Sequence, residues 1–256
     1  MATRVYRPSR SLPAKLGRHW VQWHRAAPAT VAPDRPIVSF TFDDFPKTAL
    51  SGADVIEAHG GRAGFYAATT FIGGTDPTLG EMFDAATLAE LTARGHEIGA
   101  HTHSHIDCAR KKPEAVEKDV AANLVALAET GHAATISSFA WPFGETSFVT
   151  KRWAADVFAT ARGVLPGINR GETDRSQLRA VELGASNASR RRALALLDFA
   201  IQSNGWLIFF THDVSASPSS SGCTPDLLNE LCARAVGQGA VLATPTLGAA
   251  LSGVIN

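Results

Sequence analysis

Long apolar runs are missing from this 256-residue chain. No segment approaches the ~20 consecutive apolar residues that a helix needs to cross a bilayer, so no transmembrane span is expected. Neither sign of charge is in excess: 24 Lys plus Arg stand against 24 Asp plus Glu. That balance offers no concentrated cationic surface for nucleic acid or anionic lipid, and neither is expected as a partner. Cysteine is scarce. Cys108, Cys223 and Cys232 are odd in number, widely scattered and form no CxxC pair, which argues against a disulfide framework and a thiolate zinc site. They read as reduced structural thiols. The opening residues are basic but lack the compact apolar segment and small-residue cleavage site of an export signal, so a cytoplasmic protein is the expectation.

What is present is an ordinary globular composition, 45% hydrophobic, long enough for one large domain. Residues 1–35 show no sustained apolar periodicity and read as an N-terminal extension, with Trp20 and Trp23 as possible anchors onto a domain spanning 36–256. From Pro36 onward short β-branched and aromatic runs alternate with helical stretches, a βα alternation. IVSFTF, AGFYAAT, EIGAH, ISSFAW, the region of VFATARG, WLIFFTHD and AVLATP read as strands. PEAVEKDVAANLVALAETG reads as a helix with Pro113 near its start and Val116, Val120, Leu124 and Leu127 as the buried stripe. The run Arg190–Arg192 reads as the solvated face of another helix. About seven βα units without an internal repeat favour an α/β fold of the parallel barrel type, with an open doubly wound sheet as the alternative.

Polar and titratable residues gather at the strand ends, where parallel α/β folds assemble their sites. Four clusters stand out: TFDDFP at 41–46, HTHSH at 101–105, FAWPFG at 139–144 and FFTHDV at 209–214. Asp43 and Asp44 emerge together, and strand alternation allows them different jobs, one binding a metal while the other takes a proton. His101 and His105 can close on a single divalent ion, leaving coordination sites open for water and substrate. Mixed nitrogen and oxygen ligation suits Zn, Co, Ni, Mn or Fe. His103 is expected to point away, and His59, His96 and His132 near helix ends carry no functional reading. His212 ends an apolar strand, where an imidazole can protonate a leaving group. Asp213, directly after it, is read as a loop cap. Each cluster alone also has an ordinary explanation, since acidic pairs often cap turns and histidines often satisfy local networks.

Taken in order, TFDD, HTHSH, W-P-F-G and THD resemble the polysaccharide deacetylase family, the NodB homology domain of carbohydrate esterases, over roughly residues 36–250. The resemblance implies a distorted (β/α) barrel of about seven strands. It also implies a metal-dependent hydrolase that removes acetyl groups from an N-acetylated or O-acetylated sugar or oligosaccharide. Asp44, His101 and His105 would hold one divalent ion, zinc first, with cobalt, nickel or manganese as alternatives. Asp43 would be the general base and His212 the general acid. A backbone N–H of the W-P-F-G turn, that of Phe143, would steady the oxyanion, with Trp141 and Phe143 as an apolar wall for acetyl group or sugar ring.

The sequence departs from the family pattern at Ala140, where members commonly carry an arginine that pairs with the catalytic aspartate. Arg162, at the end of the next strand, is expected to supply that charge. The acidic partner that usually tunes the acid histidine has only Asp174 as a candidate here. Two other functions fit the same motifs: hydrolysis of a non-peptide amide or cyclic imide, and carbohydrate binding without catalysis.

Overall fold

The computed structural model describes residue 17 and residues 20–255; the rest of the N-terminal extension lies outside the described residues. The strands are β1 (Pro28–Val31), β2 (Ile37–Asp43), β3 (Gly64–Ala67), β4 (Thr75–Asp76), β5 (Gly80–Glu81), β6 (Glu97–Ala100), β7 (Ser138–Ala140), β8 (Thr160–Arg162), β9 (Gly171–Asp174), β10 (Val181–Glu182), β11 (Trp206–Thr211) and β12 (Val241–Leu242). Among the described residues, these helices alternate with them: α1 (Leu50–Ala58), α2 (Ala85–Ala93), α3 (Pro113–Glu129), α4 (Phe148–Val157), α5 (Asn187–Gln202), α6 (Pro225–Gly237) and α7 (Pro245–Leu251).

The main sheet runs β10-β11-β2-β3-β6-β7-β8, with β12 also paired to β2, and all of its pairings are parallel. Its two edges are joined by residues 175–182. The Ala161 N–H donates to Arg175 O (2.8 Å), and Gly163 N–H to Leu178 O (2.9 Å), after which the same segment becomes β10 and pairs with β11. The result is the distorted (β/α) barrel, not the open sheet.

The alternation along β2 explains both faces of that barrel. Val38, Phe40 and Phe42 point outward and pack with Leu207 and Phe209 of β11 against Ala53 and Ile56 of α1 and Leu228 and Leu231 of α6. Ile37 points inward, with Trp206, Ile208 and Phe210 of β11 and Leu178 and Ala180 of the closing segment. Each large side chain so buried contributes roughly 1.5–3 kcal/mol. By the same parity Asp43, two residues beyond Thr41, enters the barrel interior at its C-terminal mouth.

Several elements differ from the sequence reading. The VFATARG stretch is divided, because α4, capped by the Ser147 side chain on Thr150 N–H, runs through Val157 and leaves only Thr160–Arg162 as strand. Within the stretch read as an extension, β1 pairs antiparallel with β9. Residues 20–27 are also fastened to the domain, chiefly by polar groups. Trp20 meets Phe148 edge-on at 5.4 Å, whereas Trp23 is 84% exposed. The fastener is Lys151 of α4, fully buried, whose ammonium donates to Val21 O (2.8 Å), His24 O (3.0 Å) and Gln177 Oε1 (3.1 Å) and pairs with Asp174 at 2.7 Å. Asp174 in turn accepts the N–H groups of Ala26 and Ala27. Removing one member of a buried ion pair leaves its partner uncompensated, so Lys151→Ala is expected to cost roughly 3–5 kcal/mol of stability in urea denaturation. A change within 1 kcal/mol would mean the pair is not the fastener.

Candidate metal centre and acid–base groups

Strand β2 delivers Asp43 inward, and the chain then turns sharply at Asp44, whose φ of 43° is left-handed and whose N–H donates to Tyr66 O (3.1 Å). The turn keeps both carboxylates at the barrel mouth. His101 follows β6. Its backbone N–H donates to Asn123 Oδ1 (3.2 Å) and its Nδ1–H to Ala140 O (2.7 Å), which fixes the tautomer and leaves the Nε2 lone pair free to ligate. That Nε2 lies 3.9 Å from Asp44 Oδ1. His105 Nε2 donates to Asp44 Oδ2 at 2.8 Å. One ligand atom from each of Asp44, His101 and His105 falls within 4.8 Å of the other two.

Three observations fit this trio to a cation. The donor set is two imidazole nitrogens and one carboxylate oxygen, as in open hydrolytic sites. Asp44 Oδ1 is buried without a hydrogen-bond partner, a costly arrangement unless something else engages it. Backbone strain also collects here: of the five non-glycine residues with positive φ among the described residues, four are Asp44, Thr102, His105 and Phe143, and such strain concentrates at functional sites.

Electrostatics agree. Burial alone would raise the Asp44 carboxyl, but the neighbouring His105 and His101 rings, with a smaller contribution from His212, hold it down at about 2. Burial lowers His101. Burial also opposes charge on His105, yet Asp44 outweighs it and the net shift is upward. Because the His105 proton must leave before its nitrogen can ligate, affinity for a divalent ion is expected to fall as pH drops through that raised value and to level off above it. Calorimetric titrations at several pH values measure this; an affinity flat through the histidine range would remove His105 from the ligand set.

Arg162, on β8, is the register partner of Ala140 on β7. Its guanidinium enters the barrel, pairs with the Asp43 carboxylate, and lies over the rings of Tyr66 (4.9 Å) and Phe210 (5.0 Å). Both members of the pair are buried. The cation therefore stands one strand away from Ala140 but at the same level of the sheet. His212, half-buried beyond β11, has Nδ1 at 3.4 Å from Ser221 O. Asp213 caps the following loop through Ser219 N–H (2.9 Å).

Other expected residues lie elsewhere. Trp141 does not line the site: it is 1% exposed, packs edge-on to Phe139 in the core beneath α3 and α4, and donates from Nε1 to Ser176 O. Its parity sends it outward, away from Asp43 and Arg162. Phe143 does reach the trio, its ring 4.5 Å from that of His105. Asp174 is engaged by Lys151 and the N-terminal segment, so it is not the partner of His212. His103 turns to Thr69 Oγ1, while His59, His96 and His132 bond to Asn229, Glu57 and Thr92.

Asn123, Tyr66 and Phe210 were not singled out in the sequence. Asn123 holds the His101 backbone and donates to Ala67 O and Thr69 Oγ1. Its signal was present, since it is the one polar residue on the buried stripe of α3. Tyr66 and Phe210 carry no comparable signal, because an aromatic on a strand is most simply core.

Fold and site together define a parallel (β/α) barrel with an Asp-His-His cation geometry at its strand ends. The polysaccharide deacetylase family model matches residues 30–160, and the chain belongs to that family. The match ends before Arg162 and His212. No curated protein sequence matches the chain. Among solved structures it is similar to a family 4 acetyl xylan esterase from Clostridium thermocellum in complex with a cobalt ion (22% identity, TM-score 0.60, 84% of this chain and 91% of that one). It is also similar to the peptidoglycan deacetylase PdaC of Bacillus subtilis, as a D285S mutant (16%, 0.55, 86% and 93%), and to a CE4 family pseudoenzyme from Bacillus anthracis (12%, 0.59, 84% and 66%). At these identities the likeness is one of fold, which serves enzymes and a pseudoenzyme alike.

Proposed function

We propose that this protein is a metal-dependent hydrolase that removes acetyl groups from an N-acetylated or O-acetylated sugar or oligosaccharide. The observation that carries the reading is the buried Asp43–Arg162 pair standing beside the Asp44–His101–His105 trio. Asp44, His101 and His105 are the residues to hold a divalent cation, zinc first, with cobalt, nickel or manganese as alternatives. When bound, such an ion supplies a Lewis acid that polarises a carbonyl and acidifies water.

The chain's own groups then have distinct work. Asp43 accepts the proton of the attacking water, held in position by Arg162 through the same carboxylate. His212 donates a proton to the leaving amine or alcohol from Nε2, its Nδ1 side being turned to Ser221 O. The left-handed turn at Phe143 is where we place the oxyanion donor, and its ring, against His105, excludes water from one side. Residues 36–256 form the catalytic unit in this reading, with the N-terminal stretch fastened to it by Lys151. Three buried free thiols suit a reducing, cytoplasmic setting.

The test is acetate release from acetylated sugars, chitin oligomers and acetylated xylan by the metal-loaded protein. Release from any of these supports the deacetylase. Silence across them, with turnover of non-peptide amides or cyclic imides, would replace it by that hydrolase; binding of sugars without any turnover would make the protein a carbohydrate-binding relative.

A further inference from the structure

His212 has the proton-donating role in the reading above, yet the two carboxylates nearest to hand in the sequence argument are engaged elsewhere. Asp174 is paired with Lys151, and Asp213 is turned to Ser219. What faces the ring instead is a backbone carbonyl, Ser221 O, 3.4 Å from Nδ1. A carbonyl oxygen only accepts, so this contact requires the proton to sit on Nδ1 and leaves Nε2 as the nitrogen that exchanges one. Two other donors hold the same oxygen in place. They are the His212 backbone N–H (3.1 Å) and the Thr211 hydroxyl (3.1 Å), which is also within reach of Leu183 O (3.0 Å).

The loop that presents this carbonyl closes around one buried side chain. The Asp213 carboxylate accepts the Ser219 N–H (2.9 Å) and the Ser219 hydroxyl (2.5 Å). Gly222 packs on the same carboxylate so closely that a Cβ there would overlap it, and its N–H donates to Ser219 O (3.1 Å). Cys223 N–H then donates to the Asp213 carbonyl (3.0 Å). Without the carboxylate, two donors of Ser219 lose their acceptor, and residues 219–222 are no longer tied to the residue beside His212.

We propose that Asp213 is a positioning residue for the acid step: through Ser219 and Gly222 it sets Ser221 O against Nδ1, so that a neutral carbonyl orients the imidazole of this chain. The proposal rests on the hydrolase reading with His212 as its acid, and it gives Asp213 a task beyond capping a loop. As the bond from the acyl carbon to the leaving nitrogen or oxygen breaks, the bonding pair stays on the leaving atom and takes the Nε2 proton of the imidazolium. The ring is left neutral, its remaining proton on Nδ1 and donated to Ser221 O. A ring free to turn would lose this alignment, and displacements of about 1 Å at a reacting group can cost on the order of a hundredfold in rate.

The experiment compares two substrates and one spectroscopic signature in the full-length protein and its Asp213→Ala, Asp213→Asn and Gly222→Ala variants. The N-acetylglucosamine tetramer expels an amine that must be protonated, whereas p-nitrophenyl acetate expels a phenolate that leaves without a proton. Asp213→Ala is expected to lower turnover of the tetramer roughly ten- to a hundredfold with KM and bound metal unchanged, and that of the aryl ester by no more than about twofold. Asp213→Asn, which keeps an acceptor for Ser219, should recover most of the loss, and Gly222→Ala should behave as Asp213→Ala does. Nitrogen NMR of histidine-labelled protein at a pH where the rings are neutral reads the tautomer directly, the His212 signals being those missing from His212→Ala. The proton is expected on Nδ1 in the unsubstituted protein and in Asp213→Asn, and shared between both nitrogens in Asp213→Ala. An unaltered tautomer in both Asp213→Ala and Gly222→Ala, or equal losses on the two substrates, would overturn the proposal. Failure of the underlying reading looks different: no acetate from either substrate, or full tetramer turnover in His212→Ala, would reject the hydrolase or its acid, and the tautomer would still decide whether Asp213 orients the ring.

Discussion

Arg162→Ala is expected to reduce turnover by roughly a hundredfold, because it frees a carboxylate whose position the reaction depends on. It should also cost stability on the order of 3–5 kcal/mol, since Asp43 would remain buried with no opposing charge. Simple cavity formation makes a different prediction from charge loss, and the sheet register separates them. Ala140 is the neighbour of Arg162 on the adjacent strand and shares its inward parity. The double substitution Ala140→Arg/Arg162→Ala should therefore return a guanidinium to Asp43 and recover much of both losses. Ala140→Arg alone places two cations in space that holds one, and overpacking of that kind typically costs about 1–3 kcal/mol. Steady-state kinetics and urea denaturation of the three variants decide the matter. Full activity in Arg162→Ala would remove the arginine from the mechanism; a double variant no better than the single one would show that the strand position, and not only the charge, is essential.

The second large effect separates ligation from proton transfer. Asp44→Ala and His105→Ala are expected to lose metal and turnover together, because each removes one of three ligand atoms that converge within 4.8 Å. Asp43→Asn should keep metal and lose turnover by roughly 10²–10⁴, the range for removing a general base. Metal analysis beside kinetics on the same preparations reads both quantities. Undiminished metal in Asp44→Ala would overturn the ligand assignment, and an Asp43→Asn enzyme with near-normal turnover would move the base elsewhere.

The parts of this arrangement that follow local rules were legible in the sequence. A strand of alternating parity ending in Asp43 and Asp44, imidazoles four apart after β6, and an imidazole ending β11 identify themselves by residue type and place. The barrel followed from the βα count. What was not legible depends on packing across the fold. Trp141 sits in a motif beside the site, yet one step of parity turns it into the core. Arg162 was expected beside Asp43 only through the family resemblance and its departure at Ala140; local rules alone make it an ordinary strand-end cation, and it is barrel closure that carries β8 to a point where its side chain meets β2, 119 residues earlier. Lys151 lies on a helix where a lysine most simply reads as exposed; its burial comes from residues 21–27, where the Val21 and His24 carbonyls take its ammonium and the Ala26 and Ala27 amides take the Asp174 carboxylate paired with it. The role of the loop after β11 likewise depends on Asp213 folding Ser219 back, which places Ser221 O against His212.

The measurement that bears most directly on the central claim is acetate release by metal-stripped protein as a divalent ion is added back in fractions of an equivalent. No activity is expected at the start, followed by a linear rise and a break at one ion per chain, with no rise in Asp44→Ala. Acetate release by the stripped protein at the rate of the loaded one, or a rise in Asp44→Ala that matches the wild type, would contradict it.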